Sequence, residues 1–238
     1  MVEIPSVGEF IYKKIRSRIL DGSYASGDRL NVDELARQLK ASKTPVREAL
    51  GRLVSERLVV FRPRSGWSVP SLSLDEFLNF LEMQYALRLF MSDHLAAYVD
   101  QLDFELLDSI NNKLLMCLAE RQYHEVVRQN DLFHLTILRV HPNRLILSRL
   151  EELDALIRMQ RVRFFEKEHE FFPTVAQDAY AQHQKMLESL RTRNPEHISR
   201  MSKNHHGSIL RAYKHMSKSG LIEPEQGRAD DLGLERSA

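Results

Sequence analysis

The segment from residue 32 to residue 60 constrains this chain more than any other, because it encodes two helices with almost no room between them. Asn31 and Glu34 have the spacing of a capping box at the start of the first helix. A break at residues 40–42 separates that short helix from a longer one. Two short helices joined so tightly predict a helix-turn-helix unit.

The second helix of this pair begins with a clear start signal. Ser42 or Thr44 supplies a capping oxygen, and Pro45 lies in the first turn, where a missing N–H costs nothing. Val46 and Leu50 open an apolar stripe one turn apart. The sequence therefore predicts a helix with one buried face and a polar, basic N-terminal end.

Elements on both sides complete the pattern. A stripe of apolar residues at every fourth position predicts a helix before the pair, and its members are Val7, Ile11, Ile15 and Ile19. After the pair, residues 58–61 and 67–69 have the composition of strands and flank a turn with two arginines. Three helices followed by a hairpin form the order of a winged helix.

The start of the third helix has the chemistry needed to read double-stranded DNA. Polar and basic side chains at that end reach base edges in the major groove. Arg47 suits guanine because arginine can bond two acceptors at once, whereas hydroxyl groups are better suited to phosphate. We expect these residues and the wing to contact operator DNA through Ser42, Lys43, Thr44, Arg47, Arg62, Arg64 and Gly66.

Charge and histidine are divided between the two parts of the chain. Residues 1–70 carry 13 Lys and Arg against 8 Asp and Glu, whereas the remaining residues carry 21 against 25. All 10 histidines lie at or after His94. A basic N-terminal part and an acidic C-terminal part indicate that only the N-terminal part binds a polyanion.

Beyond residue 75 the apolar residues follow helical spacing almost throughout. Aromatic residues make up 8% of the chain and there are only 9 Gly and 8 Pro, which disfavours a strand-rich fold. We expect a mostly α protein with an N-terminal winged helix-turn-helix at 1–72, a C-terminal all-helical bundle at 76–217 and a polar tail at 218–238.

The composition also bears on where the protein works. Cys117 is the one cysteine, so no disulfide can form within the chain. No apolar run approaches the ~20 residues of a membrane helix, and the first twenty residues lack the apolar core of a signal peptide. We expect a cytoplasmic protein with no membrane partner.

The helix-turn-helix segment resembles the DNA-binding domain of the GntR family of bacterial regulators. The family's recognition helix typically opens Ser-x-Thr-Pro-Val-Arg-Glu-Ala-Leu, and residues 42–50 read Ser-Lys-Thr-Pro-Val-Arg-Glu-Ala-Leu. The match covers about the first 70 residues. Arg57 departs from it, because the family usually has Gly before the first wing strand, and a side chain there needs a strained backbone or a shifted helix end.

Three histidines in the second part lie on separate predicted helices. His134 follows Asn130 by four residues, which places both on one helix face. His183 and His205 lie on two later helices, so each of three helices offers one imidazole. Nitrogen ligands with one oxygen suit Zn, Ni or a related divalent ion, although ten scattered histidines produce such pairs by chance as well.

The second part is similar to the FadR-type C-terminal ligand-binding domain of one large GntR subfamily. This resemblance implies a metal held by Asn130, His134, His183 and His205. Two alternatives stay open at this stage. Asp131 competes with the neutral Asn130 for the oxygen position, and His206 is an alternative to His205 that points about 100° round the helix.

The first helix of this second part departs from the family pattern of Arg followed by Leu-Glu. Gln84, Leu87 and Arg88 occupy the matching positions, so the positive charge has moved by one helical turn. Arg88 and Arg149 are therefore the candidate cations for an effector pocket, and the alternative for both is an ordinary solvated helix face.

These features predict a DNA-binding transcriptional regulator and not an enzyme. We expect a homodimeric repressor whose operator binding responds to a small carboxylate, from central or sugar-acid metabolism, in a metal-containing pocket. Two other classes of protein remain possible from the sequence. The first is a helical metalloenzyme, which the lack of a nucleophile motif or phosphate loop disfavours. The second is a dimerisation module whose histidines bind no metal.

Overall fold

The computed structural model describes residues 6–24, 26–167 and 172–218, with side chains of 162–167 and 172 left aside. Within these residues the chain divides between Ser73 and Leu74 into two compact units. The polar tail predicted for 218–238 lies, apart from Lys218, outside the described residues. Each unit is described below by itself.

The first unit has three helices followed by an antiparallel hairpin, as the sequence predicted. Its elements are α1 (Val7–Leu20), α2 (Val32–Gln38), α3 (Lys43–Ser55), β1 (Val60–Arg62) and β2 (Gly66–Ser68). The paired residues of the hairpin are Val60 with Ser68, Phe61 with Trp67, and Arg62 with Gly66. A mostly α protein with an N-terminal winged helix-turn-helix is thereby confirmed.

The core of this unit is the apolar stripe of α1 packed against α3. Ile11, Ile15 and Ile19 are fully buried, whereas Val7 at the start of the stripe is 64% exposed. Val7 is the first residue of the helix. Arg16 adds an ion pair across the two helices, with its Nε 2.9 Å from Oε2 of Glu56.

Local capping sets the start of α2, as the sequence predicted. Oδ1 of Asn31 accepts hydrogen bonds from the backbone N–H groups of Asp33 and Glu34, at 2.8 and 3.2 Å. These two N–H groups have no partner inside the helix, so the side chain satisfies them. The wing is held in turn by residues 28–30, because the N–H of Leu30 donates to the carbonyl of Trp67 at 2.9 Å.

The second unit is entirely helical over its described residues. It comprises α4 (Leu74–Ser92), a 3-10 helix (Leu95–Gln101), α5 (Phe104–Ala119), α6 (Tyr123–Leu138), α7 (Arg144–Lys167), α8 (Phe172–Arg191) and α9 (Pro195–Lys218). Short connections at 102–103, 139–143 and 192–194 separate consecutive helices. No helix in the described part of the chain is long and apolar enough to cross a membrane.

Packing in this unit brings distant helices together. α4 lies against α7 and α9, while α5 lies against α6 and α8, and α8 also contacts α9. Fully buried Phe133, Leu107, Leu150 and Leu187 come from four different helices and belong to one hydrophobic core. The histidine-bearing helices α6, α8 and α9 therefore surround a common interior.

Candidate DNA interface and metal centre

The N-terminal end of α3 presents the residues predicted to read DNA. Ser42 occupies the N-cap position with extended backbone angles and makes no side-chain capping bond. Thr44 and Arg47 are exposed on the first turns, opposite the buried face formed by Val46 and Leu50. An exposed hydroxyl and guanidinium at a helix start are the groups that meet phosphates and base edges.

Lys43 differs from the other residues at this helix start because it forms an ion pair within the protein. Its Nζ lies 2.7 Å from Oδ1 of Asp33 on α2. Both side chains are more than half exposed, so this pair contributes little stability and can exchange Asp33 for a phosphate. The pair nevertheless holds the ammonium at the junction between the two helices of the motif.

The wing turn carries a basic side chain on a left-handed backbone. Arg64 is exposed at φ 71° and Gly66 has φ 79°. The N–H of Ser65 donates to the carbonyl of Arg62 at 3.2 Å, which closes the turn. Arg62 itself is only half-exposed and has contacts within the protein. At the tip of the wing, Arg64 is therefore more exposed to solvent, and to DNA, than Arg62.

Three imidazole nitrogens converge at the centre of the second unit. Nε2 of His134 on α6 lies 3.2 Å from Nε2 of His183 on α8 and 3.1 Å from Nε2 of His205 on α9. The exposed fractions of the three side chains are 2%, 0% and 1%. Within the described part of the chain these three form a group able to hold a metal ion.

Two neighbouring amides fix how the rings are oriented. Nδ1 of His183 lies 2.9 Å from Oδ1 of Asn111, and Nδ1 of His205 lies 2.8 Å from Oε1 of Gln182. An amide oxygen can only accept, so Nδ1 carries the proton in both rings and Nε2 keeps its lone pair. Both lone pairs then point at the shared centre, as metal ligation requires.

Burial keeps these histidines neutral. It lowers the pKa of His134 and His183 well below the usual value, with the positive charge of Arg88 as a further cause in both. The pKa of His205 falls to about 3, first through burial and then through Arg88 and Arg161. Neutral rings with converging lone pairs repel one another electrostatically unless a cation lies between them, so the donor set fits a divalent ion.

The two candidate oxygen ligands are placed differently from the histidines. The side-chain amide of Asn130 lies 3.4 Å from Oδ1 of Asp131, and Asn130 lines an apolar cavity. Asp131 is engaged by arginines, with Nε of Arg158 2.6 Å from Oδ2 and Nη1 of Arg161 3.7 Å from Oδ1. Asp131 does not belong to the converging group, and an oxygen ligand from either residue remains a prediction.

His206 lies against the same group without joining it. Its ring centroid is 4.8 Å from that of His134 and 4.9 Å from that of His205. Burial, followed by the neighbouring His205, lowers its pKa well below the usual value. The nitrogens that converge are those of His134, His183 and His205, and this favours His205 over His206 as a candidate ligand.

The two candidate effector cations have opposite surroundings. Arg88 is 2% exposed, and its Nη2 lies 2.9 Å from Oδ1 of Asp154, which also accepts from Gln84 at 2.5 Å. Nε of Arg88 has no hydrogen-bond partner among the described residues. Arg149 is an exposed residue whose Nη1 lies 2.7 Å from Glu152 one turn along the same helix. The structure thus places Arg88 near the histidines and leaves Arg149 on a solvated helix face.

Several buried partners were missed by sequence reasoning. Asn111 and Gln182 contact the rings of His183 and His205. Asp154 and Arg161 contact two other candidate site residues, Arg88 and Asp131, and none of these four partners was singled out from the sequence. Asp154 was detectable in principle, since a carboxylate between Leu150 and Ile157 interrupts an apolar stripe on one helical face. The two amides carry no such signal, because polar residues on an amphipathic helix are common.

A winged helix with a basic recognition helix, joined in one chain to a helical unit with a buried three-histidine group, defines a DNA-binding transcriptional regulator. Residues 7–69 match the model of the gntR family of bacterial regulatory proteins, and residues 79–208 match the FCD domain. The chain belongs to the GntR family, with an FCD domain as its second part.

Individual relatives agree with this membership. The HTH-type transcriptional regulator YdhC of Bacillus subtilis is 24% identical over 217 residues, which cover 88% of this chain and 92% of YdhC. The HTH-type transcriptional repressor RspR of Escherichia coli is 23% identical, covering 84% of this chain and 85% of RspR. The solved structure of E. coli McbR/YncC has the same fold, with a TM-score of 0.76 and 21% identity over 90% of this chain and all of the other.

Proposed function

We propose that this chain is a homodimeric repressor whose binding to double-stranded operator DNA is controlled by a small carboxylate effector. DNA binding is assigned to residues 1–72, and metal binding, effector binding and dimerisation to residues 76–217. The repressor role is supported by relatives such as RspR, which is named a transcriptional repressor. The same relatives, all named as regulators, support a regulatory and not a catalytic role.

The observation that carries the metal part of this proposal is the convergence of three buried Nε2 atoms. His134, His183 and His205 hold a divalent ion, zinc or nickel, which both suit imidazole nitrogen. When bound, the ion supplies a positive centre at which a carboxylate oxygen is stabilised. Asn111 and Gln182 hold two of the rings in the required orientation.

Arg88 gives the effector a second anchor. Its guanidinium is buried, yet Nε and the second oxygen of its partner Asp154 have no partner among the residues described. A carboxylate can take the vacant donor and so relieve the cost of an unpaired buried charge. Because Arg88 lies on α4 and the histidines on α6, α8 and α9, such a ligand changes how these helices pack.

The coupling to DNA follows from two-fold symmetry. A dimer places two recognition helices about one DNA turn apart, and it binds the operator only when this spacing matches that of the two half-sites. A ligand that favours one packing of the helical unit shifts the population of the DNA-binding state by its difference in affinity for the two states. We therefore expect the effector to weaken operator binding.

The direct test combines metal analysis with DNA binding. Purified protein should contain about one divalent ion per chain, and His134→Ala, His183→Ala and His205→Ala should each reduce that content. A chelator should lower the melting temperature, because metal bound only to the native state stabilises it by mass action. A folded, metal-free preparation that takes up no added zinc would exclude the metal site, and failure to bind the flanking genomic DNA would exclude the regulator.

A further inference from the structure

An apolar cavity lies between α5, α6, α8 and α9. Its volume is about 50 Å³, and a water-sized atom needs roughly 10–15 Å³ of such space, so about four carbon-sized atoms fit. Its walls are mostly aliphatic, and include Val126, Val127, Val175, Ala176, Ala179 and Ile209. A small hydrocarbon group suits this space better than a polar one.

The cavity is one helical turn from the histidine group on three separate helices. A residue four positions along a helix lies on the same face, about 6 Å away. Each ligand histidine has a cavity-lining residue at that spacing, in the pairs Asn130 with His134, Ala179 with His183, and Ile209 with His205. The cavity therefore lies about one helical turn from the histidine group on each of three helices.

Arg161 supplies a cation at the polar end of this cavity. It is 5% exposed, and its Nε is buried with no hydrogen-bond partner in the described part of the chain. The guanidinium carbon of Arg161 lies 5.7 Å from the centroid of the Tyr213 ring. A buried guanidinium N–H without an acceptor is costly, and a carboxylate oxygen removes that cost.

Among the described side chains, Arg161 is paired less closely with a carboxylate than the arginines around it are. Asp131 is already paired with Arg158 at 2.6 Å, against 3.7 Å to Arg161. The other buried carboxylate, Asp154, is paired with Arg88 at 2.9 Å. Among the described side chains, three arginines thus face two buried carboxylates, and one positive charge is left in excess at Arg161. One surplus charge matches one carboxylate.

Building on the proposed function, we infer that the effector is an aliphatic monocarboxylate with a chain of about four carbons beyond the carboxylate. The carboxylate binds at Arg161, which lines the cavity, and Arg161 takes the place of Arg88 as its arginine anchor, while the chain fills the cavity. Sugar acids fit this space poorly, because their hydroxyl groups would be buried against Val and Ala side chains without partners. This narrows the broader class of small carboxylates that the sequence suggested.

A chain-length series tests this inference with the zinc-loaded full-length protein. Titration calorimetry with propanoate, butanoate, pentanoate, hexanoate and heptanoate should show affinity rising about fourfold per methylene. The rise should stop near pentanoate or hexanoate, when the cavity is full. Pentanamide, which lacks the charge, and 4-hydroxybutanoate, which replaces the terminal methyl of pentanoate by a hydroxyl, should each bind at least tenfold more weakly than pentanoate.

Substitutions inside and outside the cavity test whether pentanoate binds there. Ala179→Leu should fill the cavity and weaken pentanoate binding at least tenfold, whereas Ala181→Leu, at an exposed position of the same helix, should leave it unchanged. Arg161→Met should remove most pentanoate binding. The melting temperature of each variant with zinc serves as the check on folding, and Ala179→Leu keeps the test decisive if Arg161→Met does not fold.

The outcomes distinguish this inference from the function on which it rests. Equal affinity across the series, tighter binding of gluconate than of pentanoate, or full binding by Ala179→Leu would overturn the aliphatic effector while zinc uptake and operator binding stay intact. Loss of zinc uptake or operator binding in the unmodified protein would instead overturn the proposed function.

Discussion

Nδ1 of His183 lies 2.9 Å from Oδ1 of Asn111, and this contact decides which nitrogen of the ring faces the other histidines. Asn111 is fully buried on α5, and its amide nitrogen lies 3.4 Å from the carbonyl of Tyr180 on α8. The side chain therefore joins two helices and presents its oxygen to the ring. A residue that is not itself a ligand sets the geometry of the site.

Replacing this amide should weaken metal binding without removing a ligand. Asn111→Ala leaves Nδ1 of His183 without its acceptor, so zinc affinity should fall about 10- to 100-fold. Competition with a chromogenic chelator measures the change. Asn112→Ala, at the exposed neighbouring position, is the matched control. Unchanged zinc affinity in a folded Asn111→Ala protein would mean that the amide does not orient the ring.

Metal-free protein should lose stability in acid. Burial depresses the folded-state pKa of His205 to about 3, whereas an unfolded histidine titrates near 6.5. Between these values the unfolded state binds the extra proton, so the free energy of unfolding falls as pH drops below about 6.5. The slope is about 1.4 kcal/mol per pH unit for each such histidine.

Urea unfolding of chelator-treated protein at pH 5, 6 and 7 measures this slope. His205→Gln should reduce the slope by about 1.4 kcal/mol per pH unit, the contribution of one proton. A stability that is flat over this pH range would contradict the neutral buried state of the histidines.

The recognition helix should lose sequence preference when its arginine is removed. Arg47→Ala is expected to cost ~1–3 kcal/mol on the specific operator and to relax preference at one position per half-site. Arg64→Ala should instead weaken binding to all sequences and lower the salt slope by about one unit. Fluorescence anisotropy over several salt concentrations separates the two effects. Full specificity in a folded Arg47→Ala protein would mean that another element reads the bases.

Arg57 is a strained position that glycine should relieve. It has φ 60°, and its N–H donates to the carbonyl of Val54 while that of Leu58 donates to Leu53, which is a Schellman ending of α3. A side chain in the left-handed region costs roughly 1–2 kcal/mol, partly offset by the greater flexibility of unfolded glycine. Arg57→Gly should therefore stabilise the first unit by about 1 kcal/mol.

Thermal and urea unfolding of the Arg57→Gly protein check this expectation. Arg37→Gly, in the last turn of α2, is the contrasting variant, because a glycine inside a helix costs roughly 1 kcal/mol. The two substitutions remove the same side chain and should change stability in opposite directions. A destabilised Arg57→Gly protein would show that contacts of the arginine outweigh its backbone strain.

The buried pair of Arg88 and Asp154 should behave as a unit. Arg88→Met alone leaves a buried carboxylate without its arginine and should cost about 3–5 kcal/mol. The double variant Arg88→Met/Asp154→Leu should recover most of that loss, because no unpaired charge remains. A double-mutant cycle by urea unfolding measures the coupling. Strictly additive losses would mean that the two charges do not depend on each other.

The sequence by itself determined the winged helix and the outline of the helical unit. Capping by Asn31, the proline in the first turn of α3 and the fourfold spacing of Ile11, Ile15 and Ile19 act between residues close in the chain. Such signals depend on local hydrogen bonds and helical periodicity, so they can be read from a single sequence. The left-handed backbone at Arg57 was also predictable, because the family resemblance places glycine at this helix end.

Tertiary structure alone decided which groups meet inside the second unit. His134, His183 and His205 are widely separated in sequence, and only the packing of α6, α8 and α9 brings their nitrogens within hydrogen-bond distance. Packing also buried Arg161 beside an apolar cavity and left Arg149 in solvent. Helical periodicity gives a side chain's direction around its own axis, but the neighbour it meets depends on how each helix is rotated and shifted against the others.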